Sequence, residues 1–72
     1  MNPKDRKAAK DVYRAYVIAR EAHMQHLHND VAYREWSAAY AKWVKTMRDT
    51  RMSRFEREDI HNEVTAELTA IQ

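Results

Sequence analysis

Residues 33–57 read YREWSAAYAKWVKTMRDTRMSRFER, and two overlapping patterns in this stretch decide the fold. Tyr33, Trp36, Tyr40, Trp43 and Met47 recur at alternating steps of three and four. That spacing places them in one stripe on an α-helix. Lys42, Lys45, Arg48, Arg51, Arg54 and Arg57 recur at strict steps of three. Steps of three drift by about 60° on a straight helix, so this basic ridge starts beside the aromatic stripe and winds away unless the helix breaks. The two patterns predict a helix with a large surface to bury and an edge suited to an anionic partner.

Composition supports helix throughout. The 72 residues contain no Gly, no Cys and a single Pro, at position 3. Strand-rich folds need turns, and turns draw on Gly and Pro. Ala, Arg, Glu, Lys and Met are frequent and favour helix. The expectation is one all-α domain over residues 1–72: an antiparallel helical hairpin plus a third C-terminal helix, a small three-helix bundle that self-associates.

Outward from the quoted stretch, the helices are expected at about 3–27, 31–52 and 54–71. Asn2 is suited to cap the first helix, with Pro3 at its first position and Asp5 in its first turn. Ala9, Val12, Tyr13, Tyr16, Val17, Ala19, His23, Met24 and Leu27 share a broad apolar arc, and Ile18 is an apolar exception on the polar side. His28-Asn29-Asp30 marks the first break, with Asp30 as cap of the second helix. Ser53-Arg54-Phe55-Glu56 has the form of a capping box, which marks the second break. Ile60, Val64, Leu68 and Ile71 then give the third helix one narrow stripe. The alternative is a continuous helix through Ser53, because neither Gly nor Pro interrupts the chain there.

Charge is unevenly distributed. Residues 1–54 carry twelve Lys/Arg and six Asp/Glu, whereas residues 55–72 carry Arg57 against Glu56, Glu58, Asp59, Glu63 and Glu67. Such an asymmetry serves either an anionic partner or compensation within the molecule, and compensation is the favoured reading. In the anionic-partner reading, Lys4, Arg6, Lys7 and Lys10 add to the ridge.

Several kinds of chemistry are disfavoured. Disulfides and thiolate sites need Cys, and a phosphate-cradling loop needs Gly. Ser37 and Ser53 lack the Gly-rich elbow of hydrolases. His23, His26 and His28 are spaced by three and two, unlike the i, i+4 pair of helical zinc sites. A metal reading would need Asp30 or Glu35 as a further ligand. The expected roles are instead a hydrogen-bonded, partly buried His23, and His26 and His28 near a helix C-terminus. Arg20 is a candidate cation–π partner for an aromatic residue of the second helix. No catalytic residue, metal or cofactor is expected. No apolar run approaches the 18 or more residues of a spanning helix. The first residues are followed by no apolar segment, so neither a secretory leader nor a membrane role is expected, and cytoplasmic residence is.

The functional expectation is a non-enzymatic adaptor, regulator or inhibitor that binds a larger protein, with a homodimer as a further plausible state. Accessory proteins of phages and mobile elements often have this size and character. Trp36, Tyr40 and Trp43 would be the apolar anchor, with Lys45, Arg48 and Arg51 as polar rim, since Trp, Tyr and Arg dominate interface energetics. Whether the Trp36/Trp43 seam is core or interface stays open at this stage. The alternative is a nucleic-acid-binding helical dimer, with Lys42, Lys45, Arg48, Arg51, Arg54 and Arg57 on phosphates.

Overall fold

Each helix begins where a side chain satisfies backbone N–H groups that the helix itself leaves unpaired. In the computed structural model, which describes residues 1–71, the chain is an all-α three-helix bundle of α1 (Pro3–Gln25), α2 (Asp30–Asp49) and α3 (Arg54–Ile71). Asn2 Oδ1 accepts from the Asp5 N–H at 2.8 Å, and Pro3 occupies the first helical position, where no N–H is needed. For α2 the cap is Asn29, whose Oδ1 accepts from the Ala32 N–H at 3.1 Å. Asp30, the expected cap, is instead the first helical residue, with its charge at the positive helix end. At α3 the capping box forms in both directions. The Glu56 N–H donates to Ser53 Oγ at 3.1 Å, and the Ser53 N–H donates to Glu56 Oε1 at 3.0 Å. The chain therefore breaks at Ser53, and α2 and α3 are separate helices.

Both earlier helices stop sooner than the apolar pattern suggests. α1 ends at Gln25 rather than near 27, because His26 leaves helical geometry at φ −135°, ψ 63°. Leu27 then falls in the turn, exposed, instead of on the apolar arc. α2 ends at Asp49 rather than near 52, because Arg51 is left-handed at φ 50°. The Met52 N–H donates to the Met47 carbonyl at 3.0 Å and the Arg51 N–H to the Arg48 carbonyl at 3.2 Å. This is a Schellman closure with Arg where Gly is usual. Met47 and Met52, the apolar pair that accompanies this motif, both pack against the core.

The core is small. Ala9 and Tyr13 of α1, Trp43 of α2, and Ile60 and Val64 of α3 are buried together. Val12, Tyr16, Val17, Met47, Met52 and Leu68 pack around them. Ala9, one turn before Tyr13, carries only a methyl group, which lets Ile60 and Val64 of α3 pack against α1. α1 also packs along α2, while the backbones of α2 and α3 stay apart. The molecule measures 38 × 28 × 18 Å. A thickness of 18 Å is under two helix diameters of about 10–12 Å. It is a thin layer with α1 as the shared element.

An ion-pair ladder fixes where α3 lies. Arg6 grips Glu63 with two bonds of 2.9 and 2.6 Å. Lys10 lies 3.4 Å from Glu63 and also pairs with Glu67. Arg14 holds Glu67 at 2.7 Å and Asp11 at 2.8 Å. Partners rise in number together, so α3 runs in the same sense as α1. Much of the charge asymmetry between the two parts of the chain is thus used internally. Arg6 and Lys10 are engaged in this ladder, which leaves them ill placed to extend the basic ridge.

The ladder makes stability acid-sensitive. Hydrogen bonding to Arg6, with help from Lys10, holds the Glu63 carboxyl below its usual range. Lys10, then Arg14, does the same to Glu67. Ser53 lowers Glu56 through the capping box. A carboxyl lowered in the native state binds fewer protons there than in the unfolded chain at intermediate pH. Its contribution is present above the ordinary Glu value of about 4.3 and is lost as pH falls through the lower native values. Urea unfolding midpoints should therefore fall in acid for the wild type, and a Glu63→Gln/Glu67→Gln variant should show a weaker pH dependence. Arg51→Gly should raise stability by roughly 0.5–1 kcal/mol in the same assay, because Gly accepts positive φ without a Cβ clash.

Candidate interaction surface and the α2–α3 cleft

The aromatic stripe of α2 meets α1 in a continuous chain of rings. Trp43 lies edge-on to Tyr13 at 4.7 Å between centroids, and Tyr13 leads to Tyr16 at 5.8 Å. Tyr16 meets Tyr40 at 5.8 Å, and Tyr40 stacks on Trp36 at 5.9 Å and 23°. Trp36 stacks on His23 at 5.3 Å, and His23 meets Tyr33 edge-on at 5.5 Å. The chain runs from the core to the α1–α2 turn.

Its two ends differ in cover. The ion pairs that seat α3 stop at Arg14 of α1, so the turn-proximal part of the hairpin extends past this ladder. Trp43, beside α3, is buried at 6% exposure. Trp36 is partly buried, and Tyr40 and Tyr33 are 47% and 52% exposed. Of the three residues expected to anchor a partner, Trp36 and Tyr40 lie along the outer seam, while Trp43 is core and unavailable to a partner. Tyr33, one step beyond Trp36, takes its place. Met24 at 64% adds apolar surface at the same end of the hairpin.

His23 is held by stacking rather than by a hydrogen bond. Among the described residues, neither its Nδ1 nor the Trp36 Nε1 has a hydrogen-bond partner, although both atoms are buried. Arg20 lies 5.6 Å over the Tyr16 ring, on its own helix and not on an aromatic residue of α2. His26 caps α1. Among the described residues, no group of three or more His, Asp or Glu side chains is arranged to hold a metal ion.

The basic ridge does not form one surface. Lys42 lines a groove against α1 with Asp11, Val12, Ala15, Ala38 and Ala39. Lys45 is exposed and lies 3.9 Å from Asp49. Arg48 is exposed in the last turn of α2, and Arg51 sits in the turn. Arg54 and Arg57 open α3 and line a different groove, a cleft of about 410 Å³ between α2 and α3. The break at Ser53 thus sends the two halves of the ridge to separate faces.

That cleft exists because α2 and α3 do not pack backbone to backbone. Tyr13, Trp43 and Met47 line its inner side, and Arg54, Arg57, Glu58 and His61 complete it. Tyr13 Oη and His61 Nδ1 share a hydrogen bond of 2.5 Å. Burial pushes the Tyr13 phenol above its ordinary value, opposed by the charge of Arg20. Arg54 Nε lies 3.3 Å from Glu58. Arg57 makes no ion pair with a carboxylate among the described residues. Sequence reading grouped these arginines with Lys42 and missed Tyr13 and His61 as their neighbours. The heptad placement of His61 beside Arg54 and Arg57 was the available signal.

No helix among the described residues is long and apolar enough to cross a membrane. No protein-family model, curated protein or solved structure matches this chain.

The two tryptophans should be distinguishable by fluorescence. A Trp36→Phe variant, reporting Trp43 alone, should emit to the blue and resist acrylamide. A Trp43→Phe variant, reporting Trp36, should be quenched more readily. Equal quenching of the two would contradict the division of the seam.

Proposed function

We propose that this chain is a non-enzymatic protein-binding module, an adaptor, regulator or inhibitor of a larger protein, with Tyr33, Trp36 and Tyr40 as its anchor. One observation carries the reading: the aromatic seam of the hairpin extends past the ladder that seats α3, leaving Tyr33 and Tyr40 about half exposed. Contiguous apolar surface rimmed by polar residues marks interaction sites. Aromatic rings add contact area at low entropic cost, and a half-buried ring is already oriented.

The occupant best suited to this surface is an amphipathic helix. The hairpin already accepts one, since α3 docks on α1 through Ile60, Val64 and Leu68, spaced by four. Beyond the buried Tyr13, the residues Val17, Arg20 and Met24 continue the same α1 face at steps of three and four. They run beside Tyr33, Trp36 and Tyr40 of α2, which gives a helix-sized seat in line with α3. Lys45, Arg48 and Arg51 lie beyond this seat, toward the other end of α2, and add a cationic edge that favours an acidic partner.

Nucleic-acid binding is the second reading, supported by the lack of a carboxylate partner for Arg48, Arg51 and Arg57 among the described residues. The division of the ridge between two faces weighs against it, because phosphate contacts along a duplex or strand need a continuous track.

The test is capture of a stoichiometric protein after nuclease treatment, followed by reconstitution of the purified pair. A Tyr33→Ser/Trp36→Ser/Tyr40→Ser variant that keeps its helical circular dichroism should lose at least about 2 kcal/mol of affinity, the hot-spot scale. A Lys45→Glu/Arg48→Glu variant should lose less and mainly slow association. Unchanged affinity in the triple variant would overturn the reading. Recovery that depends on nucleic acid and falls steeply with salt would favour the alternative. A concentration-dependent dimer abolished by the triple variant would make a second copy the occupant.

A further inference from the structure

We propose that the α2–α3 cleft is an anion pocket that receives an acidic side chain of the bound protein, with Arg57 as its principal contact. This rests on the protein-binding reading, but a different part of the molecule carries it.

Three arginines at this corner sit where local preference disfavours them. Arg51 adopts φ 50°, a conformation that suits Gly. Arg54 and Arg57 lie in the first turn of α3, where the helix dipole is positive and acidic residues are preferred. On α1, by contrast, Arg6, Lys10 and Arg14 face carboxylates of α3. Sequences break local rules mainly where function requires it. Glu56 in the capping box and Glu58 beside Arg54 offset part of the positive charge here, and Arg57 is the arginine left without a carboxylate partner among the described residues.

The lining argues for the class of anion. Trp43 and Tyr13 are only 6% and 8% exposed, so neither offers a free ring face on which a nucleobase could stack. Met47, half-buried and backed by the buried Tyr13 and Trp43, gives an apolar inner wall suited to the methylene stem of a side chain. The cleft, about 410 Å³, is shallow and open to solvent, so an incoming side chain reaches it from the surface. Glu58 is bonded to Arg54, which leaves Arg57 as the open fork for a bidentate carboxylate. A Glu or Asp flanked by an apolar residue fits these features.

The experiment is an NMR titration of the full chain with acetyl-Glu-Leu-amide at constant ionic strength. Acetyl-Gln-Leu-amide and inorganic phosphate are run in parallel. Saturable shifts are expected at the Trp43 indole N–H, the Met47 methyl, the Arg57 Nε and the His61 ring. Affinity for the Gln dipeptide should be about tenfold weaker, because it lacks the charge-assisted bonds. Arg57→Gln should abolish saturation, and Lys4→Gln should leave it unchanged. If Arg57→Gln fails to fold, Glu58→Gln gives the opposite test, since releasing Arg54 should tighten binding several-fold.

Linear shifts spread over all Lys and Arg residues would overturn the proposal. So would equal affinity for both dipeptides, or tighter binding of phosphate than of the Glu dipeptide. The Tyr33/Trp36/Tyr40 variant should still bind the Glu dipeptide. Failure of the cleft is thereby separable from failure of the aromatic surface.

Discussion

Tyr13 and Trp43 hold the three helices together. Tyr13 lies against Trp43 from α2 and bonds His61 from α3, and both rings are buried with Ile60 and Val64. α2 and α3 make no close backbone approach of their own, so Trp43 is the buried side chain through which α2 reaches the joint core. In a chain of this length the buried apolar area is small, and a few large side chains carry much of the cohesion. This constraint explains why Trp43 is core although its seam neighbours are not. It stands at the level where α3 crosses, and a ring of that size is what closes the gap between α2 and α3.

The ion-pair ladder has a different role. Glu63 and Glu67 are still substantially exposed, at 43% and 40%, and exposed pairs contribute little stability. Their effect is positional. Arg6, Lys10 and Arg14 recur at steps of four on one side of α1, and Glu63 and Glu67 recur at a step of four on α3, so pairing fixes one parallel register. That register places α3 beside the first part of α1 rather than along all of it. The uncovered aromatic seam follows from this register, which the ladder shares with the packing of Ile60 and Val64 against Ala9 and Tyr13.

Features that depend on neighbours along the chain were legible in the sequence. Asn2 with Pro3, the reciprocal Ser53–Glu56 box, the stripe of Ile60, Val64 and Leu68, and the exposure of Ile18 all follow from local geometry. Features set by tertiary placement were not. Trp36 and Trp43 occupy equivalent positions seven residues apart, and only the crossing point of α3 separates core from surface. Leu27 keeps the apolar spacing of α1 but lies beyond the point where His26 ends the helix. Arg51 gave no warning of its left-handed backbone, because the usual marker is Gly and this chain has none. The basic ridge was visible as a pattern, but its division required the turn geometry.

That turn links the two candidate surfaces. A left-handed residue at the end of α2 reverses the chain within four residues, Thr50 to Ser53, and sends α3 back along α1 instead of onward from α2. The same reversal leaves the α2–α3 cleft open and turns Arg54 and Arg57 toward Trp43 and Met47. A straight continuation would have kept all six cations on one winding ridge and left Trp43 without Ile60 and Val64. The cost of roughly 1–2 kcal/mol for a non-Gly residue in this conformation is large for a small domain. It is offset by the Schellman hydrogen bonds and by the packing of Met47 and Met52 on the core. The Arg51 side chain remains exposed at the corner. Gly would form the same turn with less strain, so the fold itself does not require a side chain at this position.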